Sequence, residues 1–252
     1  MRIHRNAQGL TLGLPRATGA AAGTLTTTLQ SSALLQDLHL NANQLGLVDA
    51  IRVAGQNVMC SDKSMDIQGF SSINVNPEGH RGLGIPLASQ QTVAVDYTLA
   101  AAGTIAGGVN VEPIDPALLA PVNTLGQALN YCAGFGTIAA AAGATTAMVI
   151  TMRRQVMLGL FGLTASANSI DLTVRSISIN NVELNAGAAG QAGEVGFDVY
   201  SWRSDDTDGN TIGYQTRVND QITIQIHNYN AAAIDVYGGS FILPDALPPL
   251  SE

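Results

Sequence analysis

Ser204-Asp-Asp-Thr-Asp-Gly-Asn210 is the densest run of hard oxygen ligands in the chain. Asp206, Asp208 and Asn210 stand at alternate positions, so a loop could turn all three towards one Ca²⁺. The run departs from an EF-hand loop, with Ser204 at the first ligand position and Gln215 where the bidentate Glu belongs. Asp and Gly also make turns without any ion, and an exposed loop is the simpler reading. Tyr200 and Trp202, the only Trp, stand two residues apart at the mouth of this run and share a face if a strand continues through them. Such a pair could stack on a sugar or anchor a partner, and it equally makes the edge of a core.

Other chemistry finds less support. A transition-metal site needs two or three His and a carboxylate converging on one point. His4, His39, His80 and His227 are far apart in sequence and read as isolated surface or strand residues. Cys60 and Cys132 lack the spacing of a zinc site or a disulfide framework and read as buried free thiols. The glycine runs Gly9–Gly13 and Gly103–Gly108 have no helix after them to hold a phosphate, and no G-x-S-x-G elbow occurs. The expectation is a protein without catalytic residues, metal or cofactor.

Charged residues make up 12% of the 252 residues, about half the usual share, and the net charge is −8. A surface this poor in charge favours a subunit covered by neighbours. Ten Arg and a single Lys, Lys63, form no cluster beyond Arg153-Arg154, which argues against sequence-specific nucleic-acid binding. One local positive bias exists: Arg2, His4, Arg5 and Arg16 precede any acid. No apolar run approaches the roughly 18 residues of a membrane span, and the start lacks an uninterrupted apolar signal region. The chain is expected to be soluble and intracellular when made.

The elements that must carry these residues come twice. Gly23–Leu29 aligns with Thr146–Met152 at a shift of 123, and Val48–Val58 with Val174–Leu184 at 126. Gly84, Val93, Val95 and Ile105 align with Gly213, Ile222, Ile224 and Ile234 at 129, and Gly107–Pro113 with Gly238–Pro244 at 131. The shift only grows, as loop insertions would make it. Ala54-Gly55 and Asn180-Asn181 sit at matched positions and suit two-residue hairpin turns. Gln221–His227 alternates Ile222, Ile224 and Ile226 against Thr223, Gln225 and His227, the period of a half-buried strand.

Strands are expected near 23–29, 34–40, 47–54, 56–60, 66–74, 83–87, 91–99 and 104–111. The second copy gives 146–152, 157–163, 170–179, 182–185, 195–201, 211–217, 221–228 and 233–243. The predicted class is all-β: two tandem eight-stranded jelly-roll sandwiches from an internal duplication, joined by a short helix-bearing linker. An eight-stranded up-and-down barrel or another sandwich would give a similar string. Residues 1–22 form an N-terminal arm, 23–115 the first sandwich, 116–143 the linker and 144–252 the second sandwich. Asn123 caps the linker helix, Leu125, Ala128, Leu129 and Cys132 share its face, and Gly134-Phe-Gly136 ends it.

Duplicated eight-strand halves, low charge and no catalytic constellation together resemble the double jelly-roll major capsid proteins of icosahedral DNA viruses and bacteriophages. The resemblance is architectural and runs from about Gly23 to Pro244. It implies a homotrimer that stands as a pseudo-hexagonal capsomer, self-assembly into the virion shell, and manufacture in the host cytoplasm. Partners would be other copies, other capsid proteins and an internal membrane. Arg2, Arg5 and Arg16 would face the interior, and the Asp205–Asn210 loop would lie at the exposed tower or between neighbours. Opposite charges at matched positions, Asp49 against Arg175, would let the two halves make different contacts. A carbohydrate-binding or adhesive tandem sandwich using Tyr200 and Trp202 is the alternative, and a bicupin-like metalloenzyme the third reading.

Overall fold

The computed structural model describes residues 10–71, 85–113, 130–184, 194–202 and 211–242. The fold is all-β, with antiparallel sheets and only short 3₁₀ turns among the described residues. In the first half, β1 (Leu10–Thr28), β2 (Ala33–Ala42), β3 (Gly46–Val53), β4 (Gln56–Asn57), β5 (Met65–Asp66), β6 (Ile85–Leu87) and β7 (Thr92–Pro113) build one seven-stranded sheet. Its order is β4-β3-β7-β2-β6, with β1 on β7 and β5 on β3. The two long strands each do two jobs. Leu10–Ala20 pairs with Gly103–Val111, and Ala22–Thr28 pairs with Thr92–Thr98. Between these stretches the register slips at Leu14/Ala17, Thr18/Ala20 and Ala20/Ala22, and Gly19 takes φ +76°. Such irregularities bend a strand sharply. Leu35, Leu38 and Leu40 of β2 therefore share one core with Val48, Ile51 and Val53 of β3.

The second half contains β8 (Cys132–Ala140), β9 (Thr145–Thr151), β10 (Val156–Ala165), β11 (Leu172–Ile179), β12 (Val182–Glu183), β13 (Val195–Gly196), β14 (Thr211–Thr216), β15 (Gln221–Asn228) and β16 (Ile234–Ile242). One sheet runs β14-β10-β16-β8, the other β12-β11-β15-β9 with β13 on β11. Leu158 and Phe161 of the first meet Ile177, Ile179 and Ile224 of the second in one core. Along β15 the expected alternation holds: Ile222, Ile224 and Ile226 are fully buried and their neighbours face outward. The hairpin turns hold too, with Ala54 (φ 50°) and Gly55 (φ 80°) matched by Asn180 (φ 49°) and Asn181 (φ 67°), the positive angles a two-residue turn demands.

Four expectations are corrected. Residues 10–22, expected as arm, are the first part of β1, so Arg16 lies on a strand. Cys132–Ala140, expected as the end of the linker, is β8 and pairs along β16. Cys132 to Gly136 is buried without a break, so the first five residues of this strand show no alternating pattern. The strand expected over 66–74 gives way after Asp66 to a 3₁₀ turn at Ile67–Phe70, with 72–74 outside the described residues, and the one expected over 195–201 shrinks to β13 because Phe197–Tyr200 winds into a 3₁₀ turn. The strands expected at 91–99 and 104–111 are one continuous β7. The helix expected from Asn123 lies outside the described residues.

Candidate functional site

Tyr200 and Trp202 do not form one aromatic face. The 3₁₀ turn before Ser201 turns Tyr200 back to the second core, where its ring meets Phe161 edge-on at 5.3 Å. Trp202 packs on the first core instead, with its ring 5.8 Å from Phe241. Its indole N–H donates to Asp66 Oδ2 at 2.8 Å. Asp66 is completely buried at the start of the matched turn in the first half, where its Oδ1 accepts from the Gln68 N–H at 3.0 Å. Burial pushes its carboxyl above the usual carboxylate range, and hydrogen bonds from Thr164, Gln68 and Trp202 pull the other way. Space for the indole comes from glycine: a Cβ at Gly162 would lie 2.1 Å from Trp202 Cδ2, and one at Gly69 2.8 Å from Cζ2. Trp202 is thus a rivet between the halves.

Beside it lies a cleft of about 490 Å³, lined by Leu45, Gln68, Thr164, Phe197, Ser201 and Trp202 among others. Among the described residues its lining offers amide and hydroxyl groups and apolar surface.

The other chemical candidates are scattered. Among the described residues, no three His, Cys, Asp or Glu side chains gather as a metal site. His39 bonds Asn110 at 2.8 Å, and His227 bonds Thr145 at 2.9 Å. Arg16 is exposed on β1. Asp206, Asp208, Asn210, Arg2 and Arg5 lie outside the described residues. No helix among the described residues is long and apolar enough to cross a membrane.

Among the described residues an extended set of polar contacts forms the seam between the halves, which the sequence did not disclose because its partners are distant. The segment 58–64, between β4 and β5, runs along the outer edges of β8 and β9. Main-chain bonds tie it there: Tyr131 N–H to Val58 O, Cys60 N–H to Cys132 O, Arg153 N–H to Cys60 O, Asp62 N–H to Thr151 O and Gly136 N–H to Ser64 O, at 2.7 to 3.0 Å. Ser61 Oγ donates to Gly134 O at 2.7 Å, and Asp62 Oδ1 accepts from the Thr151 N–H at 2.8 Å. Each such bond contributes roughly 0.5–1.5 kcal/mol net, and together they make the seam continuous with the sheets. Cys60 and Cys132 are neighbours within it, both free and buried. Burial raises the Cys60 thiol to about 11 and Cys132 well above its ordinary value.

Asp49 and Arg175 both sit on β-bulges, at register shifts Val48/Ala50 and Val174/Ser176 against β7 and β15. Asp49 accepts from Ser64 Oγ at 2.8 Å and Thr98 Oγ1 at 2.7 Å. Arg175 donates to Glu194 at 2.5 Å, whose other oxygen accepts from the Tyr229 hydroxyl at 2.7 Å. The Tyr229 bond, against burial and with help from Arg175, holds Glu194 below the usual range.

No family model, no curated protein and no solved structure matches the chain.

Proposed function

We propose that this chain is a structural subunit, a major capsid protein that closes into pseudo-hexagonal trimers and tiles an icosahedral virus shell. The observation that carries the reading is a repeated strand order. In the second half the orders are β14-β10-β16-β8 and β12-β11-β15-β9. Let Leu10–Ala20 of β1 stand for β8 and Ala22–Thr28 for β9, β2 for β10, β3 for β11, β4 for β12 and β6 for β14. Let the two ends of β7 stand for β15 and β16. The first sheet then reads β6-β2-β7-β1 at one end and β4-β3-β7-β1 at the other, the same two orders.

Two antiparallel four-strand orders facing across one core suit a jelly roll, and the pattern supports two tandem jelly rolls from a duplication. Finer matches support it as well. Both halves carry a bulge in β3 or β11, the strand that pairs with β5 or β13, both follow β5 or β13 with a 3₁₀ turn, and Gln90 (φ 69°) and Asn219 (φ 70°) make the same left-handed turn.

Two like halves on one chain let a threefold object fill a sixfold lattice position. The work is then mechanical, done by broad lateral contacts between copies, and no reaction is assigned. The glycan-binding alternative needs an aromatic face open to solvent. Trp202 is instead committed to Asp66, Gly162 and Phe241. Light scattering on the purified protein over a range of concentrations tests the proposal: a stable trimer or closed particles are expected, and a strict monomer at high concentration overturns it.

A further inference from the structure

Asp66 sits one layer behind the wall of the cleft. Its three hydrogen-bond partners, the Trp202 indole, the Gln68 N–H and the Thr164 hydroxyl, belong to residues that line the cleft, and Asp66 itself does not. The carboxyl is fully buried, and its partners come from both halves, Gln68 from the first and Thr164 and Trp202 from the second. A movement of the Trp202 ring into the cleft, about 490 Å³ in volume, would bring water to the acid.

Burying a carboxylate is costly unless a cation or enough donors replace its water. Among the described residues no cation is aimed at Asp66. Neither β8 nor β10 carries a charged residue, and β16 brings Asp235 and Tyr237. From β3 come Asp49 and Arg52, and Arg52 is paired with Asp96. Lys63, three residues before Asp66, is paired with Asp62 at 3.6 Å. Tyr237 is itself raised, by burial first and then by Asp235 and Asp66. Asp66 thus has three neutral donors and no counter-ion, and burial outweighs the donors.

We infer that the Asp66 carboxyl is a proton-operated latch between the halves: protonated, it keeps Trp202 seated against Gly69 and Gly162, and on losing its proton it releases the indole towards the cleft. The closed form holds a proton that an opened, hydrated carboxyl gives up, so closure is complete at low pH and is lost as pH rises. Opening stays local, because the main-chain bonds from segment 58–64 to β8 and β9 involve neither Asp66 nor Trp202. Such local openings cost less than global unfolding. The latch lies within one chain and is independent of the capsomer reading.

Trp202 is the only Trp, so its fluorescence reads the latch directly. Between pH 5 and 9 the wild-type emission is expected to move to longer wavelength and its quenching by acrylamide to rise. A single proton spreads that change over about two pH units, with the far-UV circular dichroism constant throughout. Asp66→Asn keeps the short-wavelength emission over the whole range. A wild-type emission that stays flat, or the same transition in Asp66→Asn, overturns the latch. A far-UV spectrum that changes together with the emission also overturns it, since the halves are then unfolding. Should Asp66→Asn not fold, Thr164→Val decides. Loss of a hydroxyl that favours the carboxylate moves the transition to higher pH, and a transition at the wild-type pH overturns the assignment to Asp66.

Discussion

The indole N–H of Trp202 reaches the buried carboxylate of Asp66 at 2.8 Å, joining residues 136 apart in sequence and belonging to opposite halves. One large ring thereby fills the space between two glycine-lined strands and satisfies a polar atom that has no access to water. Trp202→Ala is expected to lower stability by about 3–5 kcal/mol, the usual cost of emptying a large aromatic site. Trp202→Phe retains part of the packing and strands the Asp66 oxygen, so it falls between. Chemical denaturation with intrinsic fluorescence from the Tyr residues and circular dichroism measures both. A Trp202→Ala protein as stable as the wild type would remove the rivet from this account.

Asp66 also sets a pH dependence. Its carboxyl titrates above the unfolded value, near pH 4, so the folded chain holds a proton that the unfolded chain has already released. Its contribution to stability is complete below the unfolded value and is lost as pH rises through the raised one. Asp66→Asn keeps the shape and removes the charge. The difference in unfolding free energy between Asp66→Asn and wild type should therefore shift in favour of the variant as pH rises from about 4, then level off. Denaturant midpoints at a series of pH values check the direction, and a difference that stays flat would count against a raised Asp66.

Gly162 and Gly196 offer a controlled comparison. A methyl at Gly162 would sit 2.1 Å from the Trp202 ring, and one at Gly196 meets nothing within 4 Å. Gly162→Ala should lower the melting temperature markedly, by overpacking worth about 1–3 kcal/mol or more. Gly196→Ala should leave it within a degree or two of wild type. Calorimetry on the two variants side by side reads the contrast.

How much of this was legible in the sequence depends on whether the signal is local. Ile222, Ile224 and Ile226 announce β15 because one side of that strand is buried and the other is not. Gly55 and Asn180-Asn181 announce their turns because Gly and Asn tolerate positive φ, and Ala54 is carried into that region by the turn. β8 stayed hidden because Cys132 is buried in the first core and Ala133 and Phe135 in the second, which erases the alternation at its start. The part of β1 before Gly23 stayed hidden because Pro15 and a run of small residues look like a connector. Trp202 was visible as an aromatic beside a polar loop, but its partners Asp66 and Gly69 lie far away along the chain, and so the sequence pattern left open whether it faced a ligand or a core.

The thiols give a further prediction. Cys60 and Cys132 are fully buried, and burial raises both pKa values, Cys60 to about 11. Thiolate is the reactive species, so both should resist an aromatic disulfide reagent at pH 8 in the folded protein and react together in denaturant. Fast labelling of either in the native state would mean that the seam opens readily.

At the paired bulges, the Asp49 carboxylate binds two hydroxyls and the Arg175 guanidinium binds Glu194. Reversing both charges, Asp49→Arg with Arg175→Asp, should change the unfolding midpoint little, since both groups are exposed and screened. Assembly, followed by light scattering against salt concentration, should weaken if the two halves use these positions for different neighbours. Unchanged assembly would assign them to the halves' own local networks.

Tyr131, Cys132 and Phe241 belong to the apolar cluster around Phe70, in the first half. Phe241 comes from β16, the last described strand. During synthesis, domains generally acquire structure as they leave the ribosome, the earlier one first. Here the earlier half has emerged in full while part of its interior has yet to be translated. The nascent chain must carry an unfinished hydrophobic surface until residue 241 is free of the exit tunnel, a period in which a chaperone has something to hold and premature pairing between nascent copies has no completed surface to use.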